Sequence, residues 1–210
     1  MLRITCKQRT LIRMGRPRLH DEHLRQRLLE AATDLMAIDG PDFSLRPLVA
    51  SVGTSTSAVY SLFGSRGELL EAITLRAARS FIDAQESAQV DHPVQRILGL
   101  AHAIRAWAIA HPAMFHVVFG RAHDSVSVAE ARDSTIEPLQ RAVSAAIDEG
   151  ILHGDPSTTT HTIFAGVHGF ISLELLGHYG AEQADALFNS MLAAIWRSWA
   201  TPEHADAVAA

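Results

Sequence analysis

The sequence predicts an all-α fold, with a three-helix helix-turn-helix unit at the N-terminus and a larger helical bundle after it, about nine helices in total. Three observations carry this expectation. Apolar residues recur at helical spacing in nearly every segment, the segments are punctuated by Gly and Pro, and no alternating run or two-residue turn marks a hairpin.

Taken in order, Leu24, Leu28, Ala31, Leu35 and Ile38 define the apolar face of a first helix, which Gly40-Pro41 stops. Ser44 caps a second helix carrying Leu48, Val49 and Val52; Pro47 falls in its first turn, where a missing N–H costs little. Gly53 ends that helix, and Ser55 caps a third of barely two turns, with Val59 and Tyr60 ahead of Phe63-Gly64. Ser65-Arg66-Gly67-Glu68 then has the form of a capping box, opening a longer helix through Leu69, Leu70, Ile73 and Ala77 toward residue 88. Further helices are expected near 93–110, 112–120, 126–149, 156–179 and 181–200, separated by Pro112, the Gly120–Ser125 stretch, Gly150–Pro156 and Gly180. The last two are apolar on more than one face. They need more than one partner surface, which predicts a subunit interface through Phe170, Leu173, Leu192, Ile195, Trp196 and Trp199. The resulting division is a basic arm over 1–20, a helix-turn-helix unit over 21–65, a connecting helix over 66–88 and a C-terminal domain over 89–210.

Charge is distributed unevenly. The 210 residues carry a net −5, yet residues 1–80 hold 12 Lys and Arg against 8 Asp and Glu, whereas the remainder is net −9. Eight of those cations lie in residues 1–30, the place to expect phosphate contacts. A single cysteine, Cys6, excludes an internal disulfide framework and fits a reducing compartment, here the cytoplasm. The opening segment lacks the apolar stretch of a secretory signal, and no apolar run reaches the ~18 residues of a membrane span, so no membrane partner is expected.

A short helix, a tight turn at Gly53 and a second short helix is the arrangement in which the second helix enters the DNA major groove. Thr56, Ser57 and Ser61 would offer hydroxyls to base edges and phosphates, and Tyr60 a phenolic O–H to the backbone; the same residues also read as an ordinary solvated helix face. The run Phe43-Ser44-Leu45-Arg46, Leu48-Val49-Ala50, Val52-Gly53 and Val59-Tyr60-Ser61-Leu62-Phe63-Gly64-Ser65-Arg66-Gly67-Glu68-Leu69-Leu70 resembles the N-terminal domain of the TetR family of transcriptional regulators, over about residues 21–75. The resemblance implies that Ser44, Arg46, Ser55, Thr56, Ser57, Tyr60 and Arg66 touch DNA, while Phe43, Val59 and Phe63 are core. Thr56 stands where the family often has a lysine, Arg66 where lysine is commonest, and Pro47 replaces a more usual acidic or polar residue. The recognition helix therefore brings no formal charge, and phosphate attraction is expected from the arm, where Arg16 and Arg18 in Gly15-Arg16-Pro17-Arg18 look like a short basic segment for a narrow, A·T-rich minor groove. A solubilising tail is the alternative reading, and Met14 an alternative start.

In the C-terminal half, Trp107, His111-Pro112 and Phe115, with His168-Gly169 and Ser172-Leu173-Glu174-Leu175 later, resemble a subset of TetR-like domains marked by a Trp-His-Gly signature, here with Val167 in the tryptophan's place. That likeness implies a homodimer joined through the last two helices, and a pocket for an unidentified small-molecule effector, with Trp107, His111, Phe115, Phe119 and Phe164 as candidate lining; each of the five also reads as an ordinary core aromatic. It implies a repressor released from a palindromic operator by its ligand; a helical binding module without sequence-specific DNA binding is the alternative. No cofactor is expected. Of the histidine pairs, only Glu174 with His178 has i,i+4 spacing and no third ligand is evident, so no metal site is predicted. No phosphate loop or nucleophile elbow is present, and no enzymatic activity is expected.

Overall fold

The computed structural model describes residues 18–88, 90–120 and 125–208, the side chains of residues 18–20 and 181 excepted. Among the described residues there are ten α-helices, two single 3-10 turns and no strand beyond one isolated bridge between Leu152 and Ala200. In chain order the helices are α1 (Arg18–Asp39), α2 (Leu45–Val52), α3 (Thr56–Phe63), α4 (Arg66–Glu86), α5 (Pro93–Ala110), α6 (Pro112–Phe119), α7 (Val126–Ser134), α8 (Glu137–Asp148), α9 (Pro156–Leu175) and α10 (Ala181–Trp199). None is long and apolar enough to cross a membrane.

Local chemistry explains most boundaries. Ser44, Ser55, Ser65, Ser125 and Asp155 each accept a backbone N–H of the first turn they precede. Prolines open α5, α6 and α9, where their missing N–H is an orphan in any case. Pro138, in the first turn of α8, divides the segment 126–149, expected as one helix, into α7 and α8. Gly53 adopts the left-handed conformation at φ +70°, and the Gly53 and Thr54 amides donate to Ala50 and Val49 at 3.2 and 2.9 Å, a Schellman closure that sets the angle between α2 and α3.

α1 differs from its reading in two respects. It begins at Arg18, so the helix takes the last three residues assigned to the arm. Its buried residues are Leu28, Leu29, Ala32 and Met36, with Leu24, Ala31 and Leu35 half-buried, whereas Ile38 is 81% exposed. The face is rotated because α1 packs against both α2 and α6, either side of the stripe a single neighbour would select. A single contiguous apolar core runs from these residues through α4, with Leu69, Ile73, Ala77 and Phe81, to Phe188 and Trp196 of α10.

α4 is fixed at both ends. At its start the Arg66 guanidinium donates to the carbonyls of Pro41 and Phe43 at 2.8 and 2.5 Å and lies over the Phe43 ring. At its end the buried Gln85 amide donates to the Thr135 carbonyl, 2.9 Å away, between α7 and α8.

Candidate functional site

The outer surface of the helix-turn-helix is built on an inner one. Val59 and Phe63 are buried from α3, and Leu48 and Val52 from α2, so these helices have one rotational setting against α1. That setting leaves Ser44, Arg46, Ser55, Thr56, Ser57, Tyr60 and Ser61 exposed, Tyr60 by 49%. The capping hydroxyls of Ser44 and Ser55 accept from the Arg46 and Ala58 amides at 3.3 Å each, which leaves each O–H free to donate to an external acceptor such as a phosphate oxygen. Arg27 donates to the Val52 carbonyl at 2.9 Å and Arg25 stacks on Phe63, so two of the cations counted toward phosphate binding are engaged within the fold. Arg66 is also turned inward, holding the loop before α2. Arg46 stays exposed on the recognition unit. Arg16 lies outside the described residues, and Arg18 opens α1.

The five aromatic residues expected to line one pocket are distributed. Trp107 is buried: its indole N–H donates to the Ser80 hydroxyl at 3.0 Å, and its ring packs edge-on against Phe81, making it a core anchor. His111 stacks on Trp107 from outside and faces a cavity of about 310 Å³ between α1, α4 and α6. Phe115 and Phe119 line a cavity of about 170 Å³ between α6 and α9, shared with His116, His168, Ser172, Leu175 and Leu176. Phe119 also walls a neighbouring cavity of about 310 Å³, with Phe164, Ile136, Arg132 and His161. His168 stands at the centre of this region. Its imidazole is 5.2 Å from Phe115, 4.8 Å from Phe119 and 6.0 Å from Phe164, and burial lowers its pKa. His168 is absent from the pocket candidates that the sequence offers, where it stands only in the His168-Gly169 pair of the Trp-His-Gly signature.

The helices expected at a subunit interface show two faces. Phe170, Leu192 and Trp196 are buried in the chain's own core, and Ile195 and Trp199 are half-buried, with Ile195 set against Gly166 where α9 and α10 approach closely. These residues hold α9 to α10 because each helix, apolar on more than one face, spends its bulkiest side on its own chain. The unpartnered face instead carries Leu173, Leu176 and Leu187, exposed by 41%, 70% and 43%. Between α5, α9 and α10, Arg105 forms a fork on Glu174 at 2.6 and 2.7 Å, reaches Asp185 at 2.6 Å and lies over the Phe188 ring. That engagement removes Glu174 from any pairing with His178. Among the described residues no three His, Cys, Asp or Glu side chains cluster as metal ligands would.

Known proteins point the same way. Residues 28–73 match the family description "Bacterial regulatory proteins, tetR family", and residues 97–195 match "Tetracyclin repressor-like, C-terminal domain". An HTH-type transcriptional regulator of Mycobacterium tuberculosis is 26% identical, the alignment covering 81% of this chain and 88% of that protein. A Rhodococcus protein of unknown function is 28% identical with a TM-score of 0.69, over 85% of this chain and 96% of its own. A TetR family transcription regulator of Marinobacter aquaeolei, at 18% identity, shares the fold with a TM-score of 0.71 over 87% and 98% of the two chains. The matching family descriptions and the Mycobacterium tuberculosis relative are those of transcriptional regulators, which are not enzymes. With the capped helix-turn-helix and the helical body in place, the chain belongs to the TetR family of transcriptional regulators, proteins that bind DNA through this motif.

Proposed function

We propose that the protein is a cytoplasmic repressor that binds a palindromic operator as a homodimer and is released by a small-molecule effector held in its C-terminal domain. The observation that carries the DNA reading is the exposed edge of α3, where Thr56, Ser57, Tyr60 and Ser61 stand out together while Val59 and Phe63 lock the helix from behind. Hydroxyls accept or donate to any base, so this edge discriminates less than an Arg on guanine, and shape readout by Arg16, with Arg18 at the start of α1, supplies part of the preference. Pairing of two copies through the Leu173, Leu176 and Leu187 face would set two recognition helices about 34–36 Å apart, one turn of B-DNA. The cavities around Phe115, Phe119 and Phe164 are walled by α6, which packs against both α1 and α4, so a ligand preferring one arrangement of α6 changes the separation of the recognition helices.

Selection of random duplex DNA on the purified protein, with titration of the enriched site at several salt concentrations, tests this. Recovery of a two-fold symmetric site whose affinity falls steeply with salt is the expected result, since several phosphates are neutralised. Binding with no sequence preference and no symmetry would overturn it in favour of a helical binding module.

A further inference from the structure

The cavity between α6 and α9 has a composition that restricts what can occupy it. Its volume, about 170 Å³, matches one ring and a short substituent, and it opens to solvent on the side of His116 and Leu176. Its walls are the rings of Phe115, Phe119 and His168 and the side chains of Leu175 and Leu176. No Asp, Glu, Lys or Arg lines it among the described residues, so an ionised ligand would lose its hydration without a counter-charge. Its other polar side chains each hold a backbone carbonyl. The Ser172 hydroxyl donates to the His168 carbonyl at 2.8 Å, and His116, itself exposed, turns Nδ1 to the Pro112 carbonyl at 2.8 Å. The His168 imidazole has no hydrogen-bond partner among the described residues, although it is half-buried among three phenyl rings that fix its orientation.

We infer that this cavity binds a neutral, single-ring aromatic molecule carrying one hydroxyl group, a simple phenol in chemical class, with His168 as the residue that selects the hydroxyl. The phenolic O–H donates to the bare ring nitrogen, and the phenol ring takes offset or edge-on positions against Phe115 and Phe119. Because burial holds the imidazole neutral, one nitrogen is an acceptor at neutral pH. This assignment deepens the effector reading above and rests on the chain having an effector site in its C-terminal domain.

Calorimetric titration of the full-length protein, in the absence of DNA, with 4-ethylphenol, ethylbenzene, 4-ethylbenzoate and benzyltrimethylammonium tests it. The phenol is expected to bind about ten-fold more tightly than the hydrocarbon, because a polar group buried without its partner is costly. The carboxylate and the ammonium ion are expected not to bind. In His168→Phe the difference between phenol and hydrocarbon should vanish while ethylbenzene still binds, and His168→Leu, smaller and non-aromatic, should give the same loss of discrimination; circular dichroism of each variant monitors folding. Equal affinity of phenol and hydrocarbon in the native protein, discrimination that survives in both variants, tighter binding of either ion, or binding of no probe at all would overturn the assignment. A protein that binds the phenol and keeps its grip on DNA would overturn the inducer reading alone, whereas release from DNA by a molecule of another class, with no phenol bound, would overturn the ligand assignment alone.

Discussion

Arg66 stands in the sequence as one more cation beside the recognition unit, yet its guanidinium is spent on two backbone carbonyls and one aromatic face. Replacing it with Ala leaves the Pro41 and Phe43 carbonyls short of a charged donor, and we expect a loss of roughly 1.5–3 kcal/mol in urea unfolding. Lys in its place should recover only part of that, because an ammonium can donate to the carbonyls but lacks the planar guanidinium that stacks on the Phe43 ring. Histidines supply a second prediction at this scale. His102 is held below its ordinary pKa by burial and by the neighbouring Arg105 guanidinium, against a smaller opposing pull from Asp185, and His168 is lowered by burial alone. Each binds its proton more weakly folded than unfolded, so stability should be complete above the unfolded pKa of about 6.5 and decline as pH falls below it toward the lowered folded values. Thermal melts between pH 8 and pH 5 read this directly, and His168→Phe should flatten part of the slope.

At the scale of elements, α5, α9 and α10 are joined by more than apolar contact. Arg105 and Glu174 keep only 11% and 13% of their side-chain surface exposed, whereas Asp185 is 79% exposed. Removing Glu174 leaves the largely buried Arg105 with only the exposed Asp185 as a partner, so Glu174→Leu should cost about 3 kcal/mol, while Asp185→Ala should cost less than about 1 kcal/mol. Chemical denaturation of the two variants side by side distinguishes this cluster from a surface ion pair. The periodicity of α1 marks the inward side through Leu24, Leu28, Ala31 and Leu35 and fails at Ile38, which obeys the spacing and still faces solvent. A helix near a chain end with two neighbours buries an arc that spacing alone cannot centre.

On the scale of the whole molecule, α4 runs from the Arg66 anchor beside the recognition unit to the Gln85 anchor in the body, and α6 packs against both α1 and α4. A displacement of α6 is therefore felt at α1, and through α1 at α2 and α3. The same scale decides assembly. Leu173→Glu combined with Leu187→Glu places charge on the exposed faces of α9 and α10 without touching the internal core or the cavity between α6 and α9, so the chain should stay folded but sediment as a monomer. Its affinity for a two-fold operator should drop at least about a hundred-fold, since one half-site is contacted instead of two. Analytical ultracentrifugation alongside an operator titration checks both outcomes; a dimer that persists in the double variant would place the interface elsewhere.

The sequence by itself determined the local features: the serine caps, the Gly53 turn, the prolines that open helices, and the order of helix-turn-helix before bundle. Each depends on residues within a few positions of one another, and such signals survive without knowledge of the rest of the chain. It also picked out the hydroxyl-bearing edge of α3, because there the buried positions Val59 and Phe63 follow the same short period. Only the tertiary structure decided what long-range packing assigns. Trp107 turned inward to Ser80, Phe170 and Trp196 went to the chain's own core, and His168 came to stand among three phenyl rings from α6 and α9. An aromatic residue on an amphipathic helix satisfies the same periodicity whether its neighbour is core, cavity or a second subunit. The choice rests on which helices meet, and that is a property of the assembled fold.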